Sequence, residues 1–183
     1  MATRKKKLDS LPKIRRRIMS LWSLKVREVS NFTCMLCGAV KGTVYTNEKG
    51  NVVKLKIDAH HLISRDIKDS FLRYNIINGV AVCPHCHKWG NYSFHRDPVN
   101  TMKWLMENKP EAWEYLIKYR EARIDLDNRK VLEEIERTLK EGLPLDLEKI
   151  QEIERLHPRK AKQPVFAGSL FDQSEKSSSS SFE

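Results

Sequence analysis

The chain has 183 residues, of which 40% are hydrophobic and 32% charged, and its formal net charge is +10. This length supports one compact domain with appendages. No apolar run is long enough to span a bilayer and the N-terminus lacks the hydrophobic region of a signal peptide, so we expect a cytoplasmic protein without a membrane segment. Thiols stay reduced in that compartment, which favours metal binding over disulfides for the four cysteines.

The first 30 residues combine a basic arm with a predicted helix. Residues 1–28 carry ten Lys and Arg against two acidic residues, a net charge of +8. We expect that a block this basic is not neutralised internally and attracts a polyanion, with nucleic acid as the candidate and a merely solubilising arm as the alternative. From Pro12 to about Val29, apolar residues recur at helical spacing with arginines on the other side, which predicts a helix. The apolar positions are Ile14, Ile18, Leu21, Trp22 and Val26.

Residues 31–98 contain all four cysteines and every histidine except His157. The turn signal Asn47-Glu-Lys-Gly50 separates the short stretch Thr43–Thr46 from the run Val52–His60. Apolar and polar residues alternate along that run, which predicts a half-buried strand.

Two CxxC pairs, Cys34-Met-Leu-Cys37 and Cys83-Pro-His-Cys86, account for all four cysteines. Each pair places two thiolates within reach of one tetrahedral Zn²⁺, and Gly38 allows the first pair to turn tightly. Four thiolates leave no open coordination position, which predicts a structural zinc site. The 45 residues between the pairs exceed the spacing of a simple zinc ribbon and indicate an insertion. A set of ordinary buried cysteines, or a zinc ribbon without catalysis, is the alternative.

A histidine-rich pattern accompanies these cysteines: Asp58-Ala-His60-His61, then Asn78, and then His87 directly after Cys86. In this order, framed by the CxxC pairs, the residues resemble the HNH (ββα-metal) endonuclease superfamily, specifically its zinc-bearing members such as phage junction-resolving nucleases. The resemblance covers about residues 31–95, a third of the chain. It implies an α+β fold, in which a small ββα-metal HNH module with a four-cysteine zinc site is flanked by an N-terminal helix and a C-terminal helical region.

The resemblance implies a DNA endonuclease of phage or mobile-element origin that hydrolyses phosphodiester bonds and leaves 5′-phosphate and 3′-hydroxyl ends. His60 and His87 would ligate one catalytic divalent metal, Mg²⁺ or another such as Mn²⁺ or Ni²⁺. Many relatives have aspartate in place of His60, and a histidine ligand favours softer metals. His61 would be the general base, which suits a neutral imidazole near pH 7. Asn78 would tie the neighbouring loop to the backbone near the base.

Two geometrical expectations concern these side chains. Successive helical residues point about 100° apart, so Cys86 can face the zinc while His87 faces a second site. A regular strand would direct His60 and His61 to opposite faces, so the strand must end or twist there if both are to reach one phosphate. Asp58 is interpreted either as a partner that orients His60 or as a solvated charge at the strand edge.

His95 lies two turns beyond His87 if the predicted helix continues, which would bring it to the same cleft. The segment Ser93–Pro98 and the Trp-Leu pair after it resemble phage HNH sequences, which implies a contact of His95 with the phosphate or the metal; a helix-ending cap is the alternative. His85, between two cysteine ligands, is expected to be merely exposed. Three further side chains are candidate DNA contacts: Arg65, Lys88 and Arg96.

Residues 99–158 are predicted to form helices. Asn100 is a plausible N-cap of the first, Pro110 opens the second, the third stops at Gly142, and the last covers Asp146 to Leu156.

The third of these helices carries an apolar stripe that either packs within the monomer or forms a dimer. We expect i,i+4 ion pairs on its outer face, Glu133 with Arg137 and Glu136 with Lys140. The stripe consists of Val131, Leu132, Ile135 and Leu139.

Residues 159–183 include five consecutive serines, Ser177–Ser181, and are predicted to be disordered because they have little to bury. The segment Ala167-Gly-Ser-Leu-Phe171 faintly resembles peptides that bind bacterial sliding clamps, although the leading Gln and Leu of those peptides are missing. Two other functions remain open at this point: a non-catalytic, zinc-dependent nucleic-acid-binding protein, and a protein-interaction adaptor that acts through the helical half and the tail.

Overall fold

The computed structural model of the chain describes residues 8–47 and 49–159, which form a mixed α+β structure with several helices and small two-stranded sheets. The first four basic residues of the predicted arm and the serine-rich tail with its clamp-like peptide lie outside these ranges. Within them, no helix has the length and apolar character needed to cross a membrane.

Helix α1 covers Leu11–Val29, in agreement with the predicted helix. Its buried face consists of side chains spaced by four residues, as expected for the inner stripe of an amphipathic helix. Among the five predicted core positions, only Leu21 is half-buried rather than buried. The buried residues are Ile14, Ile18, Trp22 and Val26.

Four of the six described basic residues of α1 form ion pairs within the fold, so for these four the expectation that the block is not neutralised internally is wrong. Arg17 pairs with Asp9 and also, through two hydrogen bonds of 2.9 and 2.6 Å, with the carboxylate of Glu136. Arg15 binds the main-chain oxygen of Leu126 and the side chain of Asp127. Lys13 and Lys25 also form ion pairs, with Asp9 and Glu28.

Four short strands form two antiparallel pairs. Strand β1 (Val44–Thr46) pairs with β2 (Val52–Lys54), and β3 (Asp58–His61) pairs with β4 (Gly79–Val82). The predicted continuous strand over 52–60 is therefore wrong. Burial does alternate along residues 52–57 of this run. However, the backbone hydrogen bonds to the β1 segment end at Leu55, and from Asp58 onwards the chain pairs with β4.

Between β3 and β4 the chain forms two 3₁₀ turns, Phe71–Tyr74 and Ile76–Asn78. Ser70 and Asn75 cap them, since their side chains accept hydrogen bonds from the backbone N–H two residues ahead. After β4 comes a single π-helical turn, His85–Trp89.

Four helices complete the described chain: α2 (Pro98–Asn108), α3 (Pro110–Tyr119), α4 (Arg129–Glu141) and α5 (Leu147–Leu156). The predicted starts and stops are confirmed for the last three. The predicted cap of α2 is wrong, because Asp97, not Asn100, caps this helix; its carboxylate accepts a hydrogen bond from the Asn100 N–H at 2.9 Å. Pro98, which lacks an N–H group, suits the first helical position.

The larger hydrophobic cluster joins α1 to the 3₁₀ turns and to helices α2–α5. The apolar stripe of α4 lies inside this cluster with all four side chains fully buried, which excludes the dimer through this stripe.

The ion pairs on α4 differ in part from the prediction. Glu136 does pair with Lys140, but it is buried against α1 and not on an outer face. The pair between Glu133 and Arg137 is not formed; each of these residues pairs with a different neighbour on the same helix.

Candidate active site and metal centres

The four cysteines converge on one point, with all their sulfur atoms within 4.8 Å of one another. The Sγ atoms of Cys37 and Cys83 are 3.8 Å apart. Two thiolates bound to a tetrahedral Zn²⁺ at about 2.3 Å each would be separated by about 3.8 Å, whereas a disulfide needs about 2.05 Å. The sulfur positions therefore fit a shared zinc ion and not a disulfide.

The backbone around the first cysteine pair forms a tight knuckle. Gly38, with φ of 74°, donates its N–H to the Cys34 carbonyl at 2.8 Å, and Cys34 donates to the Ala39 carbonyl at 2.8 Å. The Met35 N–H donates to the Ala81 carbonyl of β4 at 2.9 Å, which fixes this knuckle against the strand that leads to the second pair.

The pKa values of Cys34, Cys83 and Cys86 are shifted in different directions. Burial opposes ionisation of Cys34, but backbone N–H groups, chiefly that of Cys83, outweigh it and lower the pKa of Cys34. Burial raises the pKa values of Cys83 and Cys86. One thiolate is thus stabilised by the protein itself, and a bound metal ion would supply the charge that stabilises the others.

His60, His87 and His95 form a second cluster, with one ring nitrogen of each within 4.8 Å of the others. The Nε2 atoms of His87 and His95 are only 3.1 Å apart. Two imidazole nitrogens bound to one ion at about 2.0–2.1 Å would lie about 3.3 Å apart in a tetrahedral site. The donor set therefore suits a divalent transition metal, and three protein ligands leave positions open for water or a substrate.

The second CxxC pair links the two clusters, because Cys86 belongs to one and His87 to the other. This agrees with the expectation that adjacent residues of a helical turn face different sites. The His87 N–H donates to the Cys83 carbonyl at 2.8 Å, so the cysteine centre fixes the backbone that presents His87.

His95 reaches the site by a different route from the predicted one. The helix does not continue beyond Trp89; the chain turns at Gly90 and runs back, so that the His95 N–H donates to the His87 carbonyl at 3.2 Å. Of the two interpretations of His95, the structure favours the cleft contact, since its ring lies 4.9 Å from that of His60 and the side chain does not cap a helix.

Asp58 orients His87 and not His60. Its Oδ2 atom lies 3.0 Å from the Nδ1 of His87. Since a carboxylate accepts, Nδ1 carries the hydrogen and Nε2 presents its lone pair to the cluster, as in the carboxylate–histidine pairs that support metal ligands. The predicted contact of Asp58 with His60 is therefore wrong, and the half-exposed carboxylate is also not merely a solvated charge at the strand edge.

His61 lies next to the histidine cluster but is not one of its three members. Its Nε2 lies 2.9 Å from the carbonyl oxygen of Arg73, an acceptor, so Nε2 carries the hydrogen and Nδ1 keeps the lone pair. Burial lowers the pKa of His61 to about 4 and that of His60 to about 3, which keeps both imidazoles neutral near pH 7. Strand β3 ends at His61, as expected, and both histidines line one cleft of about 600 Å³.

Asn78 is fully buried and fastens the loop that follows His61. Its Oδ1 accepts from the Ile63 N–H at 2.7 Å, and its Nδ2 donates to the carbonyls of Ile63 and Leu72 at 3.0 and 3.1 Å. The side chain thus joins that loop to the first 3₁₀ turn and pairs with both backbone groups of Ile63, while the Leu72 carbonyl also accepts a hydrogen bond from the Asn75 N–H.

The remaining candidate contacts differ in position. Arg65 and Lys88 are exposed side chains that line the cleft. Arg96 is exposed too, but it donates to the Trp89 carbonyl at 2.9 Å and is not among the cleft-lining residues. His85 is exposed, as expected.

Two residues next to His61 were missed by the sequence analysis. The indole of Trp22 stacks on the His61 ring, with centroids 3.7 Å apart and an angle of 16° between the planes. The other is Arg73, whose carbonyl holds the imidazole. The helical spacing of Trp22 indicated only a core position, and a backbone carbonyl leaves no signal in the sequence.

Comparisons of the chain with protein-family models, with curated proteins and with solved structures gave no significant match.

Proposed function

We propose that this chain is a metal-dependent DNA endonuclease of the HNH type, with a structural zinc at the four cysteines. The observation that carries the proposal is the pairing of a three-imidazole cluster with a separate, neutral imidazole in the same cleft. A hydrolytic site needs a metal to bind the phosphate and a base to activate water, and a base must not itself be a metal ligand. His61 meets that condition.

In this mechanism His61 accepts a proton from water at Nδ1, and its Nε2–H bond to the Arg73 carbonyl stabilises the imidazolium that results. His60, His87 and His95 hold the divalent metal, with Asp58 fixing the ring of His87. The metal, when bound, neutralises charge on the scissile phosphate and on the leaving oxygen. Imidazole nitrogens suit Ni²⁺ or Zn²⁺, whereas Mg²⁺ and Mn²⁺ prefer oxygen ligands.

The cleft has cationic side chains at its rim for the DNA backbone. Among the residues that the structure describes, the acidic neighbour of Arg65 is the exposed Asp66 at 3.9 Å, and Lys88 follows the proposed ligand His87 directly. These two side chains support phosphate binding better than α1 does, since most described cations of α1 have acidic partners in the fold.

The test is a nicking assay of the full chain on supercoiled plasmid, with EDTA or with Mg²⁺, Mn²⁺, Ni²⁺ or Zn²⁺. We expect metal-dependent conversion to open circles that DNA ligase can reseal, as 5′-phosphate ends require. His61→Ala is expected to slow nicking about 10²- to 10⁴-fold. His85→Ala, which makes the same change at an exposed histidine outside the cleft lining, is the matched control and is expected to leave the rate unchanged.

Failure to nick in any of these metals, or equal rates for His61→Ala and the wild type, would contradict the proposal. Zinc-dependent DNA binding that persists in a chain without nicking activity would identify the protein as a non-catalytic binding module.

A further inference from the structure

The N-terminal helix contacts the cleft residue His61 through Trp22, which is 1% exposed. The near-parallel stack of its indole on His61 is closer than the other ring pairs described around the cleft, whose centroids are 4.8 to 5.5 Å apart. The indole is itself fixed, because its Nε1–H donates to the Asn75 carbonyl at 3.0 Å. A buried ring with an anchored edge is a rigid platform for the side chain that lies on it.

Gly79 makes this approach feasible. It is the register partner of His61 in the β3–β4 pair. A Cβ at this position would lie 2.2 Å from one methyl carbon of Val26 and 3.1 Å from Cζ2 of Trp22. Helix α1 therefore packs on β4 at a distance that only glycine allows, directly beside the proposed base.

The hydrogen bond to Arg73 does not by itself fix the His61 ring. The ring is attached through Cβ, and one N–H···O bond still tolerates small rotations about the Cβ–Cγ bond that redirect Nδ1. A flat surface against the ring face removes that freedom. The two contacts are complementary, since one acts in the plane of the ring and the other perpendicular to it.

We infer that Trp22 is a positioning residue for His61, so that helix α1 belongs to the catalytic unit. The inference rests on the proposed function in assigning His61 the role of base. Trp22 contacts neither the metal ligands nor the substrate phosphate in this scheme, so its effect acts on the chemical step and not on binding.

The test compares Trp22→Leu, which removes the flat face, with Trp22→Phe, which keeps an aromatic ring but loses the bond to Asn75. Trp113→Leu makes the same change at a half-buried tryptophan of the same core and is the matched control. Steady-state nicking is measured below the melting temperature of every variant. We expect kcat to fall about 10- to 100-fold in Trp22→Leu, less in Trp22→Phe and not in Trp113→Leu, with KM within about twofold throughout.

A second readout does not depend on activity. The ring protons of His61, identified in NMR spectra by their absence in His61→Ala, should be shifted upfield by the indole and should move downfield in Trp22→Leu.

Wild-type kcat in a folded Trp22→Leu variant, or an equal loss in Trp113→Leu, would overturn the inference. An inactive wild type whose His61 signals move as expected would refute the proposed nuclease and retain the stacked geometry, whereas unmoved signals would refute the stack itself. If Trp22→Leu does not fold, Trp22→Phe decides by the same two measurements.

Discussion

Replacing Gly79 by alanine is expected to destabilise the protein by about 2 kcal/mol. The backbone at Gly79, with φ of −116° and ψ of 142°, is ordinary extended chain, so the conformation itself suits alanine. The loss of freedom in the unfolded state would even favour the variant by about 0.4–1 kcal/mol. The new methyl group, however, would lie 2.2 and 2.9 Å from the two methyl carbons of Val26.

Val26 cannot move aside easily. It is 3% exposed, and a valine within a helix has one strongly preferred rotamer. Carbon atoms in contact are normally about 3.5–4.0 Å apart, so α1 would have to shift by about 1 Å. Overpacking of this kind costs about 1–3 kcal/mol, and we expect a cost at the upper end because a whole helix must move. Subtracting the gain of about 0.4–1 kcal/mol from the unfolded state leaves a net destabilisation of about 2 kcal/mol.

Thermal denaturation followed by circular dichroism measures this effect. For a protein of this size, 2 kcal/mol corresponds to a decrease in Tm of about 4–8 °C. Gly90→Ala is the control, because its shortest contact, 2.7 Å, would be with the ring of the exposed His85, which can rotate away, and the nearest backbone atom, the His85 oxygen, would lie at 3.1 Å. In the double variant Gly79→Ala/Val26→Ala the two costs should not add, since the second change removes the overlap. A Tm of Gly79→Ala at or above that of the wild type would refute the reasoning.

Three further predictions concern the metal centres and the acid stability. Asp58→Asn should weaken metal binding at the histidine cluster about 10- to 100-fold, measured by Ni²⁺ or Mn²⁺ titration, because His87 loses its orienting acceptor; Asp66→Asn is the control. Cys83→Ser should remove the zinc held by the cysteines, a loss of one ion per chain by elemental analysis, and should also weaken metal binding at the histidine cluster. Ion pairing, chiefly with Arg137, lowers the pKa of Glu134 to about 2. That stabilisation is complete above about pH 4.5 and is lost as the pH falls towards 2, so the stability difference between wild type and Glu134→Gln should shrink by about 1 kcal/mol over this range.

The elements that could be predicted from the sequence are those defined by local signals. Helix α1 and helices α3–α5 carry amphipathic stripes, and proline, glycine or aspartate marks their ends where the structure has them. The CxxC pairs bring two ligands together within four residues of chain, so the cysteine centre also follows from spacing alone.

What could not be predicted depends on contacts between distant segments. The strand expected over 52–60 breaks because β3 pairs with a segment about twenty residues further on. The chain brings His95 to the site by turning back after the short helical turn His85–Trp89. Asp58 binds His87, which is 29 residues away in the sequence. The charge run of α1 suggested an exposed arm, whereas Arg15 and Arg17 meet partners more than a hundred residues later.

The surroundings of His61 determine the smallest fragment of the chain that keeps all the contacts of this imidazole. Its ring rests on Trp22, is held by the carbonyl of Arg73, and is followed by a loop fastened by Asn78. A fragment trimmed to residues 31–98 would keep every cysteine and histidine of both clusters, yet it would lose the surface beneath His61. Anyone grafting this centre into another scaffold must therefore transplant α1 along with the metal ligands.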